Sequence, residues 1–306
     1  MKKDAPEKPV RVKNRIRQPL QDRIVTVVSY FVVTAFALCC LLPLINLFAK
    51  AVSSERMVLS GEVGLWPKEF QLESLTFILS QSGFQTSFLN SVFVTVISMI
   101  LAVAVTVCAA YPLSLRNFRG RRVMQFLLTF TTIFAGGTIP GYILLRNLNL
   151  LESLWGLIVP SVVVPFWVII MRSGFESIPE SIAESARIDG ASHFQTLSRV
   201  LLPLIKPQIA TMVLMFSVDK WNEYFDALLI LHKRENFTLQ LYLQNMLTSF
   251  TQGSLVSASQ LRQLENQASS SMQGAAIFLS ILPILFLYPF LQKYFVKGMT
   301  LGAVKG

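Results

Sequence analysis

The sequence predicts an all-α, polytopic membrane protein with six transmembrane helices. Of its 306 residues 53% are apolar and only 14% are charged, more apolar surface than a soluble domain of this size can hide. Six apolar windows reach the roughly 20 residues that a helix needs to cross a hydrocarbon core about 30 Å thick. They are solid runs and not the short alternating segments of a membrane barrel, so helices are the spanning elements.

The first window, Ile24–Phe48, is too long for the core of a cleaved signal, and no small-x-small cleavage site follows it. It reads as a retained anchor. Residues 1–23 ahead of it form a basic, proline-containing tail that reads as flexible. The unit 24–88 joins this anchor to an outside loop bearing Glu55, Glu62, Glu69 and Glu73. The second and third windows, Val92–Leu115 and Val123–Leu145, are linked by the short basic turn Arg116–Arg122. A link that short predicts an antiparallel pair. The fourth window, Ser153–Met171, follows the outside link Arg146–Glu152. The fifth, Pro207–Leu231, is the only one after Val92 that carries charge, and the sixth is Gly274–Gln292. Between the last two lies an outside loop whose Ser/Gln-rich end suits a solvated surface with room for one short helix.

Basic residues concentrate in the tail, in the turn at Arg116–Arg122, in the loop 172–206 and at Lys293, Lys297 and Lys305. By the positive-inside rule these segments, and both termini, are cytoplasmic. The net charge of +10 is therefore matched to anionic lipid headgroups, not to nucleic acid. Cys39, Cys40 and Cys108 all fall in spans, with no Cys-x-x-Cys spacing and no nearby His. They make neither a metal site nor a disulfide framework and read as small core residues.

The cytoplasmic loop reads as two short helices around a tight turn. Ser177 with Glu180 has the spacing of a capping box, with Pro179 in the first turn. A helix through IAESARID ends at Gly190, where a left-handed residue costs least without a side chain. Ser192 with Gln195 makes a second box and opens another helix through FQTLSRVLL, before Pro203 and Pro207 lead into span five. The product is a rigid bent knob with Glu184, Arg187 and Asp189 around the small residues Ala183, Ser185 and Ala186. Small residues allow close approach of another surface and the charges set its register. An interfacial helix pair with no partner is the other reading of the same pattern.

This block resembles the EAA loop of permease subunits in ATP-binding-cassette importers. Glu184-Ser185-Ala186, Asp189-Gly190-Ala191 and Leu202-Pro203 stand at the family's intervals, with Ser185 replacing the usual middle Ala. The likeness runs over roughly Leu89–Lys297 and is strongest to the MalG-like permease of carbohydrate importers, in the oligosaccharide subgroup of Gram-positive bacteria. Asn90-Ser91, the Ala110–Ser114 run, Gly136-Gly137-Thr138-Ile139-Pro140, the Trp221–Asp226 run and Thr238-Leu239-Gln240 carry it.

The resemblance implies a type I importer permease fold, with a core over 89–297, a coupling loop at 177–203 and a cytoplasmic tail at 298–306. It implies that the loop, with Phe194 on its second helix, docks into a cleft on a cytoplasmic ATPase dimer. It also implies a homologous second permease, an extracytoplasmic solute-binding lipoprotein delivering to loops around Ser53–Gln85 and 232–273, an oligosaccharide cargo, and a bacterial cell-membrane location. No G-x-x-x-x-G-K-[ST] phosphate loop is present. The chain is thus expected to be no enzyme and to hold no cofactor, with ATP and Mg on the partner ATPase.

Span five holds Asp219, Lys220, Glu223 and Asp226. Each charge near the bilayer centre costs about 2.5–3.5 kcal/mol on insertion scales, so their face must look into protein or water. Spacing of i, i+4, i+7 places the three acids on one helical face, with Lys220 reaching Glu223 at i+3. Asn222 and Tyr224 add hydrogen-bonding groups, and Trp221 and Phe225 add flat rings. Hydroxyl partners beside ring faces suit a sugar, and an internal salt-bridge network holding the partner permease suits the same residues. Gly136, Gly137 and Gly141 with Pro140 would interrupt span three, tolerable where backbone lines a path or packs closely. His193 and His232 read as isolated solvated residues. Two rival functions stay open: a permease of the same class for amino acids, peptides or phosphate, and a stand-alone secondary transporter.

Overall fold

The computed structural model describes residues 20–134, 136–252 and 270–303. The tail 1–19, the Ser/Gln-rich stretch 253–269 and residues 304–306 lie outside the described residues. All named elements among these residues are helices, with one isolated bridge between Ser53 and Phe70.

Three helices are each long and apolar enough to cross a membrane: α1 (Leu20–Ala51), whose apolar flanks are exposed over most of its length, α4 (Ser82–Ser114) and the last helix, Ser270–Ala303. Short helices α2 (Glu55–Leu59) and α3 (Glu73–Ser80) fill the loop between α1 and α4. α4 starts ten residues before its apolar window, because α3 and α4 are separated by Gln81 alone.

The other crossings are bent pairs, and counting each as one span gives six. α5 (Arg121–Ile133) meets α6 (Thr138–Asn147) at 112°, and α7 (Trp155–Ser161) meets α8 (Pro165–Glu176) at 43°. Span three is therefore interrupted, at the glycines that mark it in the sequence. Gly137 begins α6 at φ +85, a conformation glycine reaches without steric cost. Beyond α9 (Glu180–Ile188), α10 (His193–Leu204) turns 78° into α11 (Lys206–Asn222). Then come α12 (Phe225–Ile230), α13 (Leu239–Gln252), the helix in the last outside loop, and α14 (Ser270–Ala303).

α4 is the central post. It packs most heavily on α8 and on α11, while α11 and α1 both pack on α14. Its contact with α5 is slight, so spans two and three are joined by a short turn without being each other's main partner. A core of Tyr111, Trp167, Met171, Phe175, Ile205 and Met212 lies where α4, α8, α10 and α11 converge. Gly156 sits under the Leu150 carbonyl, where a Cβ would come within 2.4 Å of the oxygen. No other residue lets span four enter at that angle.

The two ends of the bundle are tied differently. At the end that carries α9, Arg121 pairs with Glu176 at 2.5 Å, Arg172 approaches the same carboxylate at 3.5 Å, and Arg116 pairs with Glu180 at 2.9 Å. At the opposite end Glu152 ties its own link to the segment after α12, and Asn90 of α4 ties that segment in turn. Its carboxylate accepts the backbone N–H of His232 at 3.0 Å and of Lys233 at 3.1 Å, and lies 2.8 Å from His232 Nδ1. Its own carbonyl accepts from Asn236 Nδ2 at 2.7 Å, and Asn90 Nδ2 donates to the carbonyls of Glu235 and Phe237. His232 is thus a paired residue and not the isolated one that the sequence suggests.

The backbone donors at His232 hold the Glu152 carboxyl below the usual carboxylate range. A group depressed on folding stabilises above its unfolded pKa and loses that stabilisation as pH falls through the folded one. The stability difference between wild type and Glu152→Gln is expected to be full near neutral pH and to vanish at strongly acid pH. Thermal unfolding of both proteins across pH checks this.

Candidate functional site

The knob forms from local chemistry. Ser177 is the C-cap of α8: its Oγ donates back to the Gly174 carbonyl at 2.7 Å. The first predicted capping box is therefore absent, Pro179 is the N-cap of α9 and not part of its first turn, and Glu180 is spent on Arg116. α9 closes in a Schellman motif, with Ala191 N–H donating to Ala186 O and Gly190 N–H to Arg187 O, both at 3.0 Å. Gly190 takes φ +84 with open space around its Cα. The second capping box is complete: Gln195 N–H donates to Ser192 Oγ at 3.2 Å and Ser192 N–H to Gln195 Oε1 at 2.9 Å.

α10 then roots the knob. Residues Thr196–Leu201 take a π-helical register, Thr196 and Leu201 are buried, and Leu197 and Leu202 pack on the main core. The other face is free. Glu184, Ser185, Asp189, Gly190 and Pro203 are exposed, Ala186 and Ala191 are half-buried, and Phe194 is 76% exposed. Ile188, which sequence reasoning passed over, is 85% exposed. Its signal was an apolar residue directly before the glycine turn, where nothing in the chain could cover it. The knob thus presents two bare apolar side chains between charges, the composition found in protein–protein interfaces.

The second site lies inside the bundle. A cavity of about 500 Å³ opens where spans four and five are both broken. From α7, α8 and their link come Ser161, Val164 and Trp167. From span five come Phe216, Val218, Asp219, Lys220, Asn222, Glu223, Phe225 and Asp226. The acids do not share one continuous helical face, as their spacing suggests. α11 ends at Asn222, Glu223 is extended, and Asp226 sits in the first turn of α12. Helix dipoles explain the arrangement: Lys220 lies in the last turn of α11 and Asp226 in the first turn of α12, each at the favourable end. The Lys220 ammonium bonds the Glu223 carboxylate and reaches the Leu157 carbonyl of α7 at 3.5 Å. Asn222 Nδ2 donates to Val218 O at 2.8 Å.

Four expected path residues lie elsewhere. Trp221 is a core residue and its ring offers no face to a ligand. It is 5% exposed, its Nε1 donates to Ser280 O at 3.0 Å, and it packs edge-on against Phe88. Tyr224 is exposed at the break and does not line the cavity; Gly136 and Gly137 are exposed at the break in span three, apart from it. A second cavity of similar size, between α3, α4 and α14, is walled almost wholly by carbon. Among the described residues no His, Cys, Asp and Glu group could hold a metal ion.

A polar chamber set at coincident helix breaks is how membrane transport proteins handle polar cargo, and the class here is a multi-pass transport subunit, not an enzyme. The chain belongs to the family of binding-protein-dependent transport system inner membrane components, whose model matches residues 107–301. It is 35% identical over 94% of its length to all of the polygalacturonan/rhamnogalacturonan transport system permease protein YtcP of Bacillus subtilis (strain 168). It is 26% identical over 95% of its length to the arabinooligosaccharides transport system permease protein AraQ of Halalkalibacterium halodurans, of which it covers 99%. Among solved structures it superimposes with a TM-score of 0.81, at 36% identity, on a chain of a bacterial ABC transporter involved in import of the acidic polysaccharide alginate. That match covers 91% of this chain and 99% of the other.

Proposed function

We propose that this chain is one of two permease subunits of an ATP-driven oligosaccharide importer in a bacterial cell membrane, with both termini cytoplasmic. The observation that carries it is the capped, core-rooted knob with Ile188 and Phe194 bare at its surface. A cleft on a cytoplasmic ATPase, which carries the ATP and Mg, receives Glu184–Ala191 and Phe194. Leu202 and Pro203 join that motion to span five. A homologous permease provides the other wall of the path, and an extracytoplasmic binding protein delivers cargo to the Glu152 end. The names of the relatives support a saccharide cargo.

Asp219, Lys220, Asn222, Glu223 and Asp226 provide hydroxyl partners, and Trp167 and Phe225 provide ring faces, in the manner of sugar sites. Tyr224, Gly136 and Gly137 belong where the path continues toward the second permease. Three carboxylates against one ammonium make a poor wall for a polyanion. A neutral oligosaccharide fits these residues directly, and an acidic one requires cations from the partner permease. The assembled transporter in vesicles is expected to hydrolyse ATP faster when its binding protein carries a neutral or acidic oligosaccharide. Stimulation by an amino acid or phosphate, with none by any saccharide, overturns the reading.

A further inference from the structure

The loop between α1 and α3 carries a patch of bare apolar side chains that neither site uses. Trp66 is 83% exposed, Leu59 68%, Phe70 66% and Leu65 42%. The patch is held in place. Val58 and Val63 are buried against Ala49 of α1, Ser53 pairs with Phe70, and Asn46 Nδ2 donates to the Gly64 carbonyl at 2.6 Å. That last bond fixes the depth. Asn46 lies five residues inside the end of α1, so the loop folds back beside the helix by about 7 Å at 1.5 Å per residue.

The apolar stretch of α1 begins at Ile24. A hydrocarbon core about 30 Å thick takes roughly 20 helical residues, which puts its far boundary close to Leu44 and Asn46. Trp66, two residues from Gly64, is therefore held near the carbon–headgroup boundary, where indole rings concentrate. On the same stretch of α1, Leu41, Leu44 and Ile45 are themselves exposed apolar groups, so the patch continues the bare apolar surface of that helix. Around it Lys68 pairs with Glu62 at 2.9 Å, a zwitterionic edge suited to the headgroup layer.

We infer that the loop 59–70 is an interfacial anchor, seated through Leu65 and Trp66 in the leaflet on the side away from the knob. The anchor sets the depth of α1, which packs on α14. This is independent of the cargo and of the ATPase.

The test uses the complete transporter in bilayers of plain phosphatidylcholine, or of phosphatidylcholine brominated near the headgroup or near the bilayer centre. Subtracting the emission of Trp66→Phe from that of wild type isolates Trp66 from the other indoles. The surface position makes the variant safe for folding. The expected result is strong quenching by the shallow bromines, weaker quenching by the deep ones, and little by aqueous iodide. Strong iodide quenching with no bromine effect puts the loop in water and overturns the inference. Insensitivity to both, or protection that appears only when the binding protein is added, assigns the patch to a protein partner and overturns it equally.

Discussion

Gly190→Val is expected to leave the protein inserted and to abolish ATP-driven uptake. The residue stands at φ +84 with nothing within 4 Å of where a side chain would go, so the penalty is backbone strain alone. A β-branched residue in that region costs on the order of 1–3 kcal/mol. The turn can escape the strain only by giving up the Schellman bonds from Gly190 and Ala191. Either way the angle between α9 and α10 changes, and Ile188 and Phe194 no longer face one cleft. As lost docking energy this amounts to roughly 5- to 150-fold weaker binding of the ATPase. Copurification of the ATPase and uptake in vesicles should fall together, with Gly190→Ala intermediate. Wild-type uptake by the valine variant would count against docking at the knob.

Lys220→Ala has the second largest expected effect. It leaves the Glu223 carboxylate in the chamber without its cation and frees the Leu157 carbonyl. Removing one partner of a buried pair costs about 3–5 kcal/mol; with side chains 11% and 20% exposed this site should sit at the lower end. Complex yield and uptake should both drop sharply, and Glu223→Ala alone should also impair one or both. Removing both partners relieves the unpaired charge, so Lys220→Ala with Glu223→Ala should recover yield. The two readings of span five then part. If these side chains serve the path, uptake stays low in the recovered double variant; if they are an internal pair alone, uptake returns.

The sequence was most legible where structure is decided locally. The apolar windows follow from bilayer thickness alone, and the second capping box and Gly190 were readable because a cap is settled by residues three or four apart. The Ser177–Glu180 spacing matched the same rule and misled, since α8 continued far enough to claim the Ser177 hydroxyl for its own end. The break in span three was visible in its glycines and Pro140, whereas the one before Pro165 in span four was passed over. The break after Asn222 was not, because no glycine or proline marks it and an i, i+4, i+7 pattern mimics an unbroken helix. Trp221 was misplaced for a related reason. A span apolar on most sides gives no phase, and only tertiary packing decides whether a ring meets Ser280 or the chamber. Glu152 could not be found, because its partners lie about eighty residues away in sequence.

The central claim is that motion in this chain is driven from outside it, by a motor gripping the α9–α10 knob. The direct measurement is solute uptake by vesicles of the complete transporter loaded with ATP while an ionophore collapses the proton gradient. The account predicts that uptake continues undiminished and stops when ATP is removed. Uptake that ends with the gradient while ATP remains, or uptake by the purified chain alone, would contradict it.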